Sequence, residues 1–382
     1  MEMHPLLNRD QQKLARQYEK EKRLLGLASL SLSLAILLAF YFSGLSSQLA
    51  NLAIDHALIW TFLVYVFVFY ALMTGLALPM NFYTSYVHEH KWNFSNHTIK
   101  SWLWEQGKSF LVGFVILTMV LGLLLWIMAQ TPKWWWLVAA LVMALVSVVF
   151  AALFPVIIAP IFNKYEPIKD GELTEALSVI LSRGGLKSSG FFKEDMSRQT
   201  KKENAFLAGL GKTRRVVLGD NLMENMTCSE IVSIIAHEVG HYRYRHLWKN
   251  IGIGVGLQLA VFFILNISIK ELFPRFLTST QWNLSLFPVF AIFIGLLSGL
   301  FLGPLNNGLS RRFERQADQY ALENIEDKKS FLTALAGLAD RNLSNAYPEW
   351  WMKVLFYSHP PIGERLQMAE EFREVQRGEN FF

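Results

Sequence analysis

Residues 134–158 read WWWLVAALVMALVSVVFAALFPVII, with no charged side chain among them. A helix crossing the hydrocarbon core of a bilayer needs about 20 consecutive, mostly apolar residues. This stretch exceeds that length and continues through Pro155, Pro160 and Phe162. Five more stretches meet the same test, at 24–43, 58–79, 109–129, 251–269 and 284–305. The rest of the composition agrees, with 52% apolar residues, 18% charged residues and a mean hydropathy of +0.27. These values read as a multi-span helical membrane protein in the lipid bilayer, not as a set of soluble domains.

The first span reads as a retained anchor. It follows a charged segment, 1–23, and lacks the small-residue pattern of a cleavage site. A single cysteine, Cys228, excludes an intrachain disulfide and any metal site built on several thiolates. The net charge of +5 does not call for a nucleic-acid partner, because basic residues flanking spans on the cytoplasmic side account for it. Arg9, Lys13, Arg16, Lys20, Lys22 and Arg23 precede the first span, whereas 44–57 holds no Lys or Arg. Lys91, Lys100 and Lys108 follow span two, and only Lys133 lies in 130–133. The alternation predicts six spans with both termini cytoplasmic, and it puts Trp134, Trp135 and Trp136 at the outer interface. Four segments result: a bundle at 1–162, an insert at 163–250, two further spans at 251–305, and a tail at 306–382.

Within the insert, Leu173 to Leu181 reads as an amphipathic helix stopped by Gly184-Gly185. Strand-like stretches follow at 190–192, 204–207 and 214–218, the last two separated by Gly209, Gly211 and Lys212 as in a hairpin. Gly211-Lys212-Thr213 imitates the end of a phosphate-binding loop, but position 206 is Phe where that motif requires glycine, so an ATPase is excluded.

The insert ends in the most reactive pattern of the chain, His237-Glu238-Val239-Gly240-His241, directly after the apolar run 231–236. On a helix, residues four apart share a face. Two imidazoles so placed can bind one Zn²⁺, with the glutamate beside it as general base. A catalytic zinc takes three protein ligands and leaves the fourth position to water. His246 stands nine positions after His237 without the accompanying glycine, so the long histidine spacing does not supply the third ligand. A glutamate on a later helix is the other common solution, and Glu314, four residues before Asp318, is the best candidate. His359, before Pro360 and Pro361, lies where the backbone is stiffened.

Together these pieces resemble the type I CAAX prenyl endopeptidases, integral-membrane zinc metalloproteases. The resemblance rests on Leu78-Pro79, Phe154-Pro155, Ala159 to Lys164, Glu203 to Phe206, Gly211 to Leu218, Ala236 to His241, Ser310 to Asp318, and His359-Pro360-Pro361 with Arg365. It implies six or seven transmembrane helices around a water-filled chamber, with a small α+β metalloprotease domain. One Zn²⁺ per chain would be held by His237, His241 and Glu314, with Glu238 as general base. Asp318 would orient a zinc histidine, His359 and Arg365 would stabilise the transition state, and Asn204 would bind substrate backbone. The implied substrate is a peptide or protein, prenylated in the family's CAAX substrates. The membrane would be the inner membrane of a prokaryote or the endoplasmic reticulum of a eukaryote, with the site cytoplasmic. Fewer eukaryotic features, such as Phe206 where Tyr is frequent, point to a prokaryotic homologue. A HtpX-type quality-control protease shares the zinc motifs, but the two early spans and the Asn-Ala-Phe strand favour the prenyl-endopeptidase branch. A transporter that merely binds metal is disfavoured by the scarcity of ionisable residues within the spans.

Overall fold

In a computed structural model the chain is mainly helical, and residues 2–51, 58–187, 190–209, 214–272 and 284–379 are described. Six helices among them are long and apolar enough to cross a membrane. The first four are α1 (Arg9–Phe42), α2 (Ile59–Lys91), α3 (Ile99–Gln130) and α4 (Trp135–Phe162). α1 begins well before the apolar stretch that marks its span. Asn8 caps it by accepting from the amides of Asp10 and Gln11, which satisfies donors that a helix start leaves open. The polar first turns are then used in packing: Gln12 donates to Asp340 at 3.0 Å and to the Ser344 carbonyl at 3.3 Å.

Proline and π turns interrupt the regular α-helical pairing of these long helices. α4 carries Pro155 inside a π turn at Phe154–Ile158, and α2 has one at Tyr83–Val87, a turn after Pro79. A proline removes one backbone donor and crowds the preceding turn, and a widened turn accommodates both. The tryptophan triplet divides its work. Trp134 is 62% exposed, while Trp135 is fully buried. Trp135 can be buried because its indole N–H donates to Asn266 at 3.0 Å, so it is a packing residue and not an interfacial anchor.

The insert forms a four-stranded sheet from β1 (Tyr165–Pro167), β2 (Phe191–Glu194), β3 (Ala205–Ala208) and β4 (Arg215–Gly219), in the order β1-β2-β4-β3. β3 pairs antiparallel with β4, as the hairpin reading expects, and so forms one edge of the sheet. The turn expected at Gly211 and Lys212 lies outside the described residues. β2 and β4 run parallel, and between β1 and β2 the chain crosses through α5 (Gly171–Arg183). α5 is capped by Asp170 and ends at Gly184, and Gly185 adopts φ +69, which glycine tolerates without cost.

α6 (Cys228–Arg243) carries the histidine pair and is followed by span five, α7 (His246–Leu272), and span six, α8 (Leu284–Asn324). Only Tyr244 and Arg245 separate α6 from α7, and Arg245 takes a left-handed φ of +56 at the break. α9 (Lys328–Arg341) and α10 (Ile362–Glu379) complete the chain's longer helices. Leu177 of α5, Leu218 of β4, Ile235 and Val239 of α6, Leu322 of α8 and Phe331 of α9 meet in one buried core. That core fixes the insert against the end of span six. Between α3, α4, α7 and α8 lies a cavity of about 1010 Å³, walled by residues such as Val120, Phe150, Leu257 and Leu302, with Ser147 and Gln258 among the polar ones.

Candidate metal centre

α6 starts where a reciprocal cap places it. The Thr227 hydroxyl accepts from the Glu230 amide, and the Glu230 carboxylate accepts from the Thr227 amide at 2.9 Å. Ile231, Ile235 and Val239 then face the core at helical spacing, and His237 and His241 fall on the adjoining face. Gly240 brings α6 against α8: a Cβ there would lie 2.9 Å from Ala317 Cα and 3.0 Å from its carbonyl oxygen. Backbone therefore meets backbone at Ala317, with Glu314 and Asp318 on either side of the contact.

The donor atoms converge. His237 Nε2 lies 3.1 Å from His241 Nε2 and 3.2 Å from Glu314 Oε2, and His241 Nε2 lies 3.3 Å from Glu314 Oε1. A tetrahedral zinc with bonds of about 2.0–2.2 Å puts its ligand atoms roughly 3.3 Å apart. The chemistry of the set agrees. With each Nδ1 occupied by a neighbour, the two Nε2 atoms are left facing each other and a carboxylate, an arrangement that a cation satisfies when both imidazoles are neutral. Glu314 Oε2 is also buried, with His237 Nε2 at 3.2 Å beside it but no hydrogen bond of good geometry, although buried carboxylate oxygens are nearly always well paired. His237, His241 and Glu314 fit a divalent metal, and they form the one such cluster among the described residues.

Each histidine is held from behind. His237 Nδ1 lies 2.7 Å from Asp318 Oδ1. Asp318, fully buried, also accepts from Arg365 Nε at 2.8 Å and Nη2 at 2.5 Å. Burial alone would hold His237 neutral; the Asp318 and Glu314 carboxylates outweigh it and push the imidazole up to about 9. His241 Nδ1 lies 3.0 Å from Nδ1 of His246, whose Nε2 lies 2.9 Å from Gln316 Oε1.

The other expected residues surround this cluster. His359, an exposed side chain, has Nε2 3.4 Å from Glu314 Oε1 and Nδ1 2.9 Å from the Ser358 hydroxyl, and desolvation by the groups beside it lowers its pKa despite Glu314. Pro360 and Pro361 hold that loop before α10 begins at Ile362. His359 and Arg365 line a cleft of about 820 Å³ together with Asn204, Tyr18, Lys202 and Tyr357. Glu238, half-buried, faces a second cleft of about 710 Å³ with His241, Arg214, Arg243 and Arg245. Strand β3 runs from one to the other, with Asn204 before its start in the first cleft and Leu207 in the second.

Sequence reasoning missed three supports. His246 and Gln316 become partners only through the helix break at Arg245 and the packing of α8. Asn342, after α9, accepts from the Glu203 amide at 3.0 Å and donates to the Glu203 carbonyl at 3.1 Å. It thereby pins the backbone before Asn204 as a neighbouring strand would. No local pattern marks Asn342, because its partner lies in a segment distant in the chain.

A family model described as peptidase family M48 matches residues 167–373. A second, described as CAAX prenyl protease N-terminal with five membrane helices, matches 2–164. The described residues of that segment hold four helices of spanning length, with a short helix, Leu45–Asn51, between the first two. An uncharacterized metalloprotease of Bacillus subtilis, YhfN, is 29% identical over 369 residues, covering 94% of this chain and 85% of its own. CAAX prenyl protease 1 of Saccharomyces cerevisiae is 28% identical over 338 residues, covering 80% and 71%. Among solved structures, Ste24p of S. mikatae superposes with a TM-score of 0.84 at 24% identity, over 96% of this chain and 90% of that one.

Proposed function

The chain belongs to peptidase family M48 and is an integral-membrane metalloendopeptidase, and from that premise we propose that His237, His241 and Glu314 hold a single Zn²⁺ on the cytoplasmic side. The observation that carries the reading is the approach of two imidazole nitrogens and one carboxylate to within 3.1–3.3 Å of each other, a spacing suited to zinc. Bound there, Zn²⁺ supplies a Lewis acid that polarises a scissile carbonyl and lowers the pKa of water toward about 7. Glu238, next to a ligand and open to the cleft, takes the proton of the attacking water and returns it to the leaving amine. His359 donates from Nε2 to the carbonyl oxygen as negative charge develops.

Arg365 acts in two directions. Nε and Nη2 hold Asp318, so the guanidinium fixes the carboxylate that keeps the proton on His237 Nδ1. Its position on the wall of the same cleft as His359 brings its positive charge to the oxyanion. The free edge of β3 and Asn204 hold an extended peptide by backbone hydrogen bonds, the mode that an exposed strand edge offers.

The substrate we infer is a peptide cut near its C-terminus, of CAAX type or related to it. Support comes from the name of the yeast relative and from the match of the CAAX prenyl protease N-terminal description over 2–164. That match also tells against the quality-control alternative. The cytoplasmic side rests on the asymmetry of lysine and arginine between the loops. The test uses purified protein with farnesylated and unmodified C-terminal peptides, with and without chelator. Glu238→Gln is expected to retain stoichiometric zinc while losing about 10²–10⁴ in turnover, the usual contribution of general acid–base catalysis. Turnover equal to the parent in a zinc-loaded Glu238→Gln sample removes the assignment.

A further inference from the structure

We infer that His246 is a positioning residue for the metal ligand His241: a neutral imidazole relay, ended by Gln316, that fixes the ligating tautomer of His241. The inference rests on the proposed zinc site and concerns how that site is held.

The three groups form one line. His241 Nδ1 is 3.0 Å from His246 Nδ1, and His246 Nε2 is 2.9 Å from Gln316 Oε1. A neutral imidazole has one donor and one acceptor nitrogen, so each ring fixes the next. When His241 Nε2 faces a metal, its proton is on Nδ1. That Nδ1–H donates to His246 Nδ1, which obliges His246 to carry its own proton on Nε2, and this N–H ends on the Gln316 carbonyl oxygen. The opposite sense would require a proton on His241 Nε2, the atom that faces His237 Nε2 and Glu314. One direction alone leaves the ligand competent.

The ring is built to stay there. His246 is 2% exposed. It stacks on Phe313 with centroids 4.4 Å apart and planes 16° from parallel, Tyr244 lies nearly parallel at 5.8 Å, and the His241 ring meets it edge-on at 5.0 Å. A stacked aromatic would need none of these polar contacts, yet both of its nitrogens are used.

The two ligand histidines are thus supported differently. His237 leans on an anion, Asp318, whose charge Arg365 balances. His241 leans on a neutral ring. Glu314 and Asp318 already bring two negative charges to the proposed ligands, against Arg365 and the divalent ion. A carboxylate in place of His246 would add a negative charge, and negative charge next to the ligands weakens Lewis acidity. A neutral acceptor fixes the tautomer without that effect.

The test compares three variants, with zinc affinity read by chelator competition and the visible spectrum of the Co²⁺-substituted protein as a second readout. His246→Phe keeps the stack on Phe313 but has no acceptor. His246→Asn places an amide oxygen where Nδ1 stood, and His246→Leu is nearly the same size as Asn without the acceptor. We expect His246→Phe and His246→Leu to bind zinc about 10–100-fold more weakly, the usual effect of losing such a partner, with altered cobalt spectra. His246→Asn is expected to stay closer to the parent. Affinities equal across Asn, Leu and Phe, or equal to the parent in Phe, overturn the relay. If His246→Phe does not fold, the Asn and Leu pair decides alone. The parent and His237→Ala are controls for the site itself: a parent without zinc, or a His237→Ala protein that binds it as tightly, refutes the zinc reading independently of His246.

Discussion

At the scale of single residues, the chemistry was more legible than its supports. His237, Glu238 and His241 announce themselves because helical spacing converts four positions in the chain into one face. Glu314 was legible by elimination, since a zinc site needs a third ligand and the histidine spacing failed. His246 shows the converse. Its spacing keeps it out of the expected ligand set, but its contact with His241 depends on the helix break where Arg245 takes a left-handed φ, and nothing in the sequence states the φ of one residue. His359 lies between these cases, since the prolines after it mark a stiff loop but not what the loop faces. Its Nε2 stands 3.4 Å from Glu314, within reach of a carbonyl oxygen bound at the centre. His359→Ala is therefore expected to lower kcat by about 10²–10³ while leaving zinc affinity within a few-fold of the parent. Loss of zinc in step with loss of rate would move His359 from the reaction to the metal.

Between elements, the decisive feature is the crossing of α6 and α8. Ala317 on α8 meets Gly240 on α6 with space for no side-chain atom, since a Cβ at 240 would come within 2.9 Å of backbone. Backbone cannot yield as the tip of a side chain can. Gly240→Ala is expected to cost about 1–3 kcal/mol, the range for overpacking a tight core, and to weaken zinc binding with it, because the displaced helices carry different members of the proposed ligand set. Thermal unfolding of the metal-free protein and chelator competition measure the two effects. A variant that loses stability but binds zinc as before would show the crossing to be dispensable for the site. The elements themselves were partly legible. Alternation and turn residues marked β3 and β4, and amphipathic spacing marked α5, but β1 is too short for its pattern to stand out. α9 and α10 lie in a tail that drew attention only for its ligands.

For the molecule as a whole, hydropathy was sufficient for the six helices of spanning length among the described residues, because length and lack of charge are the signals that a bilayer imposes. It said little about where helices extend beyond the spans. α1 runs on from its apolar stretch to Arg9, and α8 to Asn324, because polar turns are stabilised there by contacts with the tail and the insert and not by lipid. The sidedness inferred from basic residues can be tested with the chain's own single thiol. Cys228, at the start of α6, is partly accessible, and burial pushes its pKa up, with Glu172 and Asp170 adding to the effect. Since the thiolate is the nucleophile, labelling by a membrane-impermeant maleimide is expected to be slower than for free cysteine near neutrality and to accelerate as pH rises. It is expected in inside-out vesicles and not in right-side-out ones; the reverse pattern inverts the topology. The residues of the centre are also far apart along the chain. Asn204 comes before the histidine pair, Glu314 follows the last span, and His359 and Arg365 come later still. In the order of synthesis, both imidazoles and the proposed base therefore precede the proposed third ligand, with the two spanning-length helices α7 and α8 begun in the interval. On the proposed ligand set, the unfinished chain is expected to have no peptidase activity until its own synthesis is almost over.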